Sequence, residues 1–251
     1  MSAPFLLGTD YLRKIQSVRP ENLVSLWPQS EPLGHATSTE IVRGYDGAYT
    51  AVTLGQTGLQ GSGMTSAGYD GATSYNNIGM VYQSRGDFDQ ALDWFQKSLK
   101  IREEIGDKAG LANSYNNIGG IYDSRDDFDQ ALDWYMKSIK ITEEIGYKAG
   151  LATTYNNIGS IHKSRGDLDQ ALEWFQKSLN IREEIGDRAG LATTYNNIGG
   201  IYKSRGDFGQ ALKYGQQALS IFEQIGARDS ARQVSENIEA LKAEQDKKSK
   251  K

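Results

Sequence analysis

Side chains able to make or break bonds are few in this sequence. It contains no cysteine, which excludes a disulfide frame, a thiolate nucleophile and a thiolate zinc site. Histidine occurs twice, as His35 and His162, and neither stands in the H-E-x-x-H spacing that would hold zinc. His35 is alone in a polar stretch and reads as a solvated loop residue. Residues 55–71 hold six glycines but no lysine, so they cannot form a phosphate-binding loop, which needs Lys followed by Ser or Thr after its glycines. Carboxylates pair as Glu103-Glu104, Glu143-Glu144 and Glu183-Glu184. Adjacent helical residues diverge by roughly 100°, so these pairs read as solvated surface and not as an acid–base couple. No cofactor, metal or catalytic set is expected. An enzyme seated in residues 1–70 would lack a nucleophile–base pair.

The polar groups that do recur are amides. The string YNNIG stands at 75–79, 115–119, 155–159 and 195–199. Each copy presents two asparagines: Asn76 and Asn77, Asn116 and Asn117, Asn156 and Asn157, Asn196 and Asn197. An amide both donates and accepts, so it can pair with either half of a peptide group without demanding a sequence.

The spacing of 40 is the period of whole units at 71–110, 111–150, 151–190 and 191–230. The first and third share 30 of 40 residues, which duplication explains and chance does not. Each unit reads as two helices. In the first unit Tyr75, Ile78, Val81 and Tyr82 share one helical face. Gly86 ends that helix, and Asp87 with Gln90 starts the next in a capping-box-like pair. The pair recurs as Asp127/Gln130, Asp167/Gln170 and Asp207/Gln210. Ala91, Leu92, Phe95, Leu99 and Ile105 form the second stripe, and Gly106 stops it. Short turns force the two helices antiparallel, and Gly79 and Ala91 let them approach. His162 takes a place where the other units carry tyrosine, so it reads as packing. Trp94, Trp134, Trp174 and Tyr214 recur at the same period and read as packing before ligand platform.

These residues resemble the tetratricopeptide repeat. The first unit supplies Tyr75, Ile78, Gly79, Tyr82, Ala91, Phe95 and Ser98. The second and third supply their equivalents, through Tyr135 with Ser138 and Phe175 with Ser178. The fourth departs by placing Gly215 where the second aromatic belongs, with Ala218 as its small residue. The period of 40 and the wording N-N-I-G and I-R-E-E-I-G-D resemble the longer-helix subclass found in kinesin light chains and spindle-orientation adaptors. The resemblance implies an all-α solenoid, a right-handed superhelix whose first helices line a concave groove. It also implies that Asn77, Asn117, Asn157 and Asn197 hydrogen-bond the main chain of an extended ligand, with Asn76, Asn116, Asn156 and Asn196 beside them. The competing reading is that one asparagine per repeat bonds a neighbouring repeat's backbone. Further along that face stand Gln83, Asp123, Lys163 and Lys203. The unit charges of −1, −3, −1 and +1 follow the same trend. An acidic peptide or free carboxylate docking near Lys163 and Lys203 is therefore expected, against the alternative of two ordinary solvated lysines.

The ends complete the expectation. Residues 231–246, with Ala231, Val234, Ile238 and Leu241 on one face, read as a capping helix, and 247–251 as a basic tail. Residues 1–70 read as irregular, with helical potential over 9–27 and a Gly-rich linker at 55–71. A decayed repeat is the alternative there, since Ala51, Gln56 and Leu59 align with Ala91, Gln96 and Leu99. Of 251 residues, 38% are apolar, which suits a thin solenoid. A net charge of −4 gives no basic footprint for nucleic acid. No apolar run reaches the ~20 residues of a membrane span, and the start lacks a basic region before its short apolar stretch, so a cytoplasmic protein is expected. The leading functional expectation is a non-enzymatic adaptor that binds a partner protein or peptide. Its alternative is a structural role through self-association of the array.

Overall fold

The computed structural model describes residues 38–43, 49–54 and 66–249. His35, the stretch 9–27, and Gln56 and Leu59 lie outside the described residues. The chain divides into two compact units, Met1–Gly106 and Asp107–Lys251.

The first unit contains β1 (Ser38–Arg43), β2 (Tyr49–Leu54), α1 (Ser66–Ser84) and α2 (Phe88–Ile105). The strands pair antiparallel, from Ser38 opposite Leu54 to Arg43 opposite Tyr49. Sequence reading left this stretch irregular or assigned it to a decayed helical repeat; Ala51 stands instead on β2. The β-branched residues of STEIVR and YTAVTL favour a pleated strand over a helix. The helix α1 begins at Ser66, inside the stretch read as linker. Its glycines at 68 and 71 each cost about 1 kcal/mol in a helix. Tertiary contact offsets that cost: Ala72 is buried against α2, and the Ser98 hydroxyl donates to its carbonyl at 2.7 Å.

The second unit contains α3 (Lys108–Ser124), α4 (Phe128–Glu144), α5 (Lys148–Arg165), α6 (Leu168–Ile185), α7 (Arg188–Ser204), α8 (Phe208–Gln224) and α9 (Arg228–Ser249). The predicted helix starts are largely in place. Asp127 and Asp207 accept from the backbone N–H of Gln130 and Gln210, as Asp87 does from Gln90. Asp167 makes no such bond; its carboxylate lies 3.7 Å from Nδ1 of His162, the residue that replaces tyrosine. At the end of α2 Gly106 takes φ 70°, so its N–H can reach back to the last turn. Asp126 occupies the equivalent inter-helix turn of the second repeat at φ 59°, where Gly86, Gly166 and Gly206 stand in the others. A left-handed side chain is strained, and aspartate less than most. Asp126→Gly is expected to stabilise the chain by about 0.5–1 kcal/mol, read as a rise in melting temperature.

The core of the second unit is a series of clusters, each between the second helix of one repeat and the helix that follows it. Ala131, Tyr135 and Ile139 of α4 meet Ile158 and Ile161 of α5. Ala171, Phe175 and Leu179 of α6 meet Ile198 and Ile201 of α7. Ala218, Ile221 and Phe222 of α8 meet Val234 and Ile238 of α9. Small residues hold the helix pairs close. The hydroxyls of Ser138 and Ser178 donate to the carbonyls of Ala112 and Ala152 at 2.9 and 2.8 Å. A buried cation joins this apolar series in the third repeat. The Arg182 guanidinium, only 8% exposed, donates to Asp187 at 3.1 Å and to the Ser178 hydroxyl at 3.0 Å. Burial lowers the arginine's proton affinity and Asp187 opposes that shift.

Ion pairs trim the exposed edges. Arg165 reaches back to Asp129, and Arg205 to Asp169, each linking one repeat to the one before. The predicted capping helix is α9, and it is longer than expected. The basic tail is largely its last turn, because α9 runs to Ser249 and the Lys248 ammonium lies 5.3 Å from the Phe208 ring centre. Cations at a helix C-terminus are favoured by the helix dipole.

Candidate functional site: a cationic concavity on the first-helix face

Residues Asn196, Gly199, Gly200 and Lys203 follow one another along a single face of α7 at helical spacing. With Lys163 of α5 they line a concavity of about 190 Å³, closed by Ala211 and Gly215 of α8 and by Val234, Asn237, Ile238 and Leu241 of α9. Val234, Ile238 and Leu241 give the α9 wall three apolar side chains; two ammonium groups and the amides of Asn196 and Asn237 are the polar part of the lining. The Lys163 Nζ lies 3.0 Å from the point where a Cβ on Gly200 would stand, so glycine is what allows its approach. Lys203 lies 3.6 Å from Glu244, with both side chains about half exposed. Lys163 has no acidic partner within ion-pair distance among the described residues. Both predicted lysines thus border one cavity, together with Asn196.

Four of the remaining asparagines pair with one another across repeats. Nδ2 of Asn157 donates to Oδ1 of Asn116 at 3.1 Å, and Nδ2 of Asn197 donates to Oδ1 of Asn156 at 3.0 Å. The partner is a neighbouring repeat's side chain and not its backbone. Thr154 adds a hydroxyl bond to Asn116 at 3.3 Å. These pairs stitch α3 to α5 and α5 to α7. Each uses one N–H and one oxygen, so the pair still carries amide donors and an acceptor. Asn76 donates to the Met80 sulfur at 3.6 Å, while Asn77 and Asn117 are half-buried at the equivalent helical positions. Sequence reading did not foresee the α9 wall: its apolar residues were read only as the cap. Nor did it foresee the amide pairs, because the spacing of 41 residues gives no local signal.

Asp123 holds on α3 the position that Lys163 and Lys203 hold on α5 and α7. Burial, and then the charge of Asp126, push its carboxyl above the usual aspartate range. A raised folded-state value means that protonation favours the fold. The stabilising contribution is complete below about pH 3.9, the unfolded value, and is lost as pH rises through the folded value. Asp123→Asn is therefore expected to raise the melting temperature at pH 7 and to make no difference near pH 3.

The recurrent aromatics pair inside their own repeats. Tyr115 and Trp134 lie 5.6 Å apart between ring centres, and Tyr155 and Trp174 lie 5.3 Å apart. Lys137 and Lys177 sit over the tryptophan faces at 3.7 and 4.1 Å. That geometry is packing with a cation–π cover. His162 is likewise half-buried in packing. Among the described residues no group of three His, Asp or Glu could hold a metal ion, and no helix is long and apolar enough to cross a membrane.

With a two-helix unit repeated at constant period and a groove-side cavity in view, comparison decides the family. The tetratricopeptide-repeat model matches residues 71–144 and 150–224. The chain belongs to the tetratricopeptide-repeat family. Solved structures agree on the fold. BtubC (BKLC) from P. vanneervenii is similar at 25% identity and a TM-score of 0.55, over 66% of this chain and 68% of that one. A Rap protein complexed with Competence and Sporulation Factor is similar at 18% identity and 0.63, over 75% and 52%. Aspartyl phosphate phosphatase F from Bacillus subtilis is similar at 15% identity and 0.62, over 67% and 47%. The chain spans about half the length of the last two, and their likeness shows the fold alone. No curated protein sequence matches the chain. Membership of the tetratricopeptide-repeat family points to a protein–protein interaction module.

Proposed function

We propose that this tetratricopeptide-repeat chain is a non-catalytic adaptor that binds an acidic peptide segment of a partner protein along the faces of α3, α5 and α7. The observation that carries the reading is the convergence of Lys163, Lys203 and Asn196 on one cavity. Two cations beside an amide, with the apolar side chains of the α9 wall, suit a carboxylate-bearing chain better than a basic or neutral one. The amide pairs Asn116–Asn157 and Asn156–Asn197 extend hydrogen-bonding capacity away from the cavity, at the spacing of successive repeats. The Rap protein of the same fold, seen with Competence and Sporulation Factor, supports the idea that such a scaffold takes a ligand.

The test is charge reversal. Both lysines are exposed, so Lys163→Glu with Lys203→Glu leaves the packing intact. Binding to an array of short acidic peptides should weaken at least about tenfold, or about 1.4 kcal/mol, with helical content and melting unchanged. Equal binding by the variant would refute the assignment of this face. The loss should also shrink as salt is raised, because the interaction is between exposed charges.

A further inference from the structure

In three of the four repeats an aromatic ring lies directly on a glycine of the preceding helix. A Cβ on Gly79 would stand 2.6 Å from the Phe95 ring, one on Gly119 2.7 Å from Tyr135, and one on Gly159 2.7 Å from Phe175. Those rings are fully buried. The fourth repeat keeps the glycine, Gly199, but carries Gly215 in place of the ring. The nearest neighbours of a Cβ on Gly199 would be the Ala211 carbonyl at 3.3 Å, the Tyr214 Cβ at 3.5 Å and the Gly215 nitrogen at 3.6 Å. Gly199, Ala211 and Gly215 are also three of the residues lining the concavity. The cavity is therefore, at its floor, the place a ring occupies elsewhere in this fold. Ile238 of α9 borders the same place, its Cγ1 and Cδ1 lying 3.2 and 3.6 Å from where a Cβ on Gly215 would stand.

We infer that the partner supplies the missing ring: the fourth repeat is a side-chain pocket for an aromatic residue of the bound segment, flanked by carboxylates that Lys163 and Lys203 hold. The inference rests on the peptide-binding reading above and adds the side chain that the site selects. Shape supports an aromatic, because the same backbone arrangement accepts Phe95, Tyr135 and Phe175. Charge supports an acidic neighbour, because the Lys163 ammonium sits over Gly200, the residue next to the floor. Val234, Ile238 and Leu241, each at most 5% exposed, give the ring an apolar wall. Burying a phenyl group there removes it from water and so discriminates it from a methyl.

The experiment compares two acetylated, amidated peptides, Glu-Glu-Phe-Glu-Glu and Glu-Glu-Ala-Glu-Glu, titrated into the full chain and followed by methyl NMR. The phenylalanine peptide is expected to bind at least about tenfold more tightly. It should shift the methyl signals of Val234, Ile238 and Leu241, which the alanine peptide leaves in place. Gly215→Phe restores the internal ring and should remove the difference between the peptides; if that variant fails to fold, the methyl shifts in the unaltered chain decide. Equal binding without methyl shifts overturns the pocket and leaves the acidic groove standing. Binding of neither peptide overturns both. Methyl shifts on diluting the chain alone would place a second copy in the pocket and overturn the inference as well.

Discussion

Phe175→Ala is expected to destabilise the second unit by about 3–5 kcal/mol, the range for removing a fully buried phenylalanine. The ring is 0% exposed and lies between Gly159 beneath it and Ile198 and Ile201 of the next repeat. Truncation removes apolar contact from both sides, and the helices cannot close the gap without moving against the Ser178–Ala152 hydrogen bond. Gly159→Ala approaches the same contact from below. Its Cβ would stand 2.7 Å from the ring, so an overpacking cost of about 1–3 kcal/mol is expected. Gly199→Ala meets no ring and should cost less than Gly159→Ala. Urea denaturation of the three variants checks the order. Equal losses at 159 and 199 would mean that the ring-on-glycine contact is not what limits the space.

Asp187→Ala is expected to cost about 2–4 kcal/mol. Its carboxylate does two things at once: Oδ1 accepts from the backbone N–H of Gly190 at the start of α7, and Oδ2 accepts from Arg182. Removing it loses a helix cap, at about 1 kcal/mol, and leaves a buried guanidinium without its counter-charge. The full penalty for a buried pair is not expected because the Asp187 side chain is 38% exposed. Asp187→Asn retains a cap oxygen and should lose less. The second repeat shows a different solution at the same place, with Thr142 for the arginine and Tyr147 for the aspartate. The Tyr147 ring there covers Gly150. The double variant Arg182→Thr with Asp187→Tyr should therefore recover stability that Asp187→Ala loses. A double variant no better than Asp187→Ala would show that the two interfaces differ in more than these side chains.

The periodic part of the molecule was readable because duplication repeats every local signal. Tyr75, Ile78, Asp87, Ala91 and Gly106 specify a helix pair on local grounds, and the copies at spacing 40 repeat the statement. The start of the array was less readable. Gly68 and Gly71 argue for a linker on propensity alone, yet α1 runs through them because packing of Ala72 outweighs the cost. The strands β1 and β2 carry β-branched residues that a search for helical period passes over. At the candidate site, Lys163 and Lys203 were found through divergence between copies, a signal that needs no structure. The Asn116–Asn157 and Asn156–Asn197 pairs were not, because which of two adjacent amides turns toward the neighbouring repeat depends on the rotation of each helix against the next. The apolar wall from α9 was hidden for a related reason: a capping helix and a pocket wall ask for the same pattern of Val234, Ile238 and Leu241. The departure at Gly215 was visible in the sequence, but its consequence depends on how far Ile238 intrudes, and only coordinates give that.

The most direct test of the account is affinity capture from a source-cell lysate, comparing the intact chain with the variant carrying Lys163→Glu and Lys203→Glu. The account predicts that the captured proteins carrying acidic segments are lost with the variant, while its helical content and melting match those of the intact chain. Retention of the same proteins by both would contradict it, and would move the binding surface away from the faces of α5 and α7.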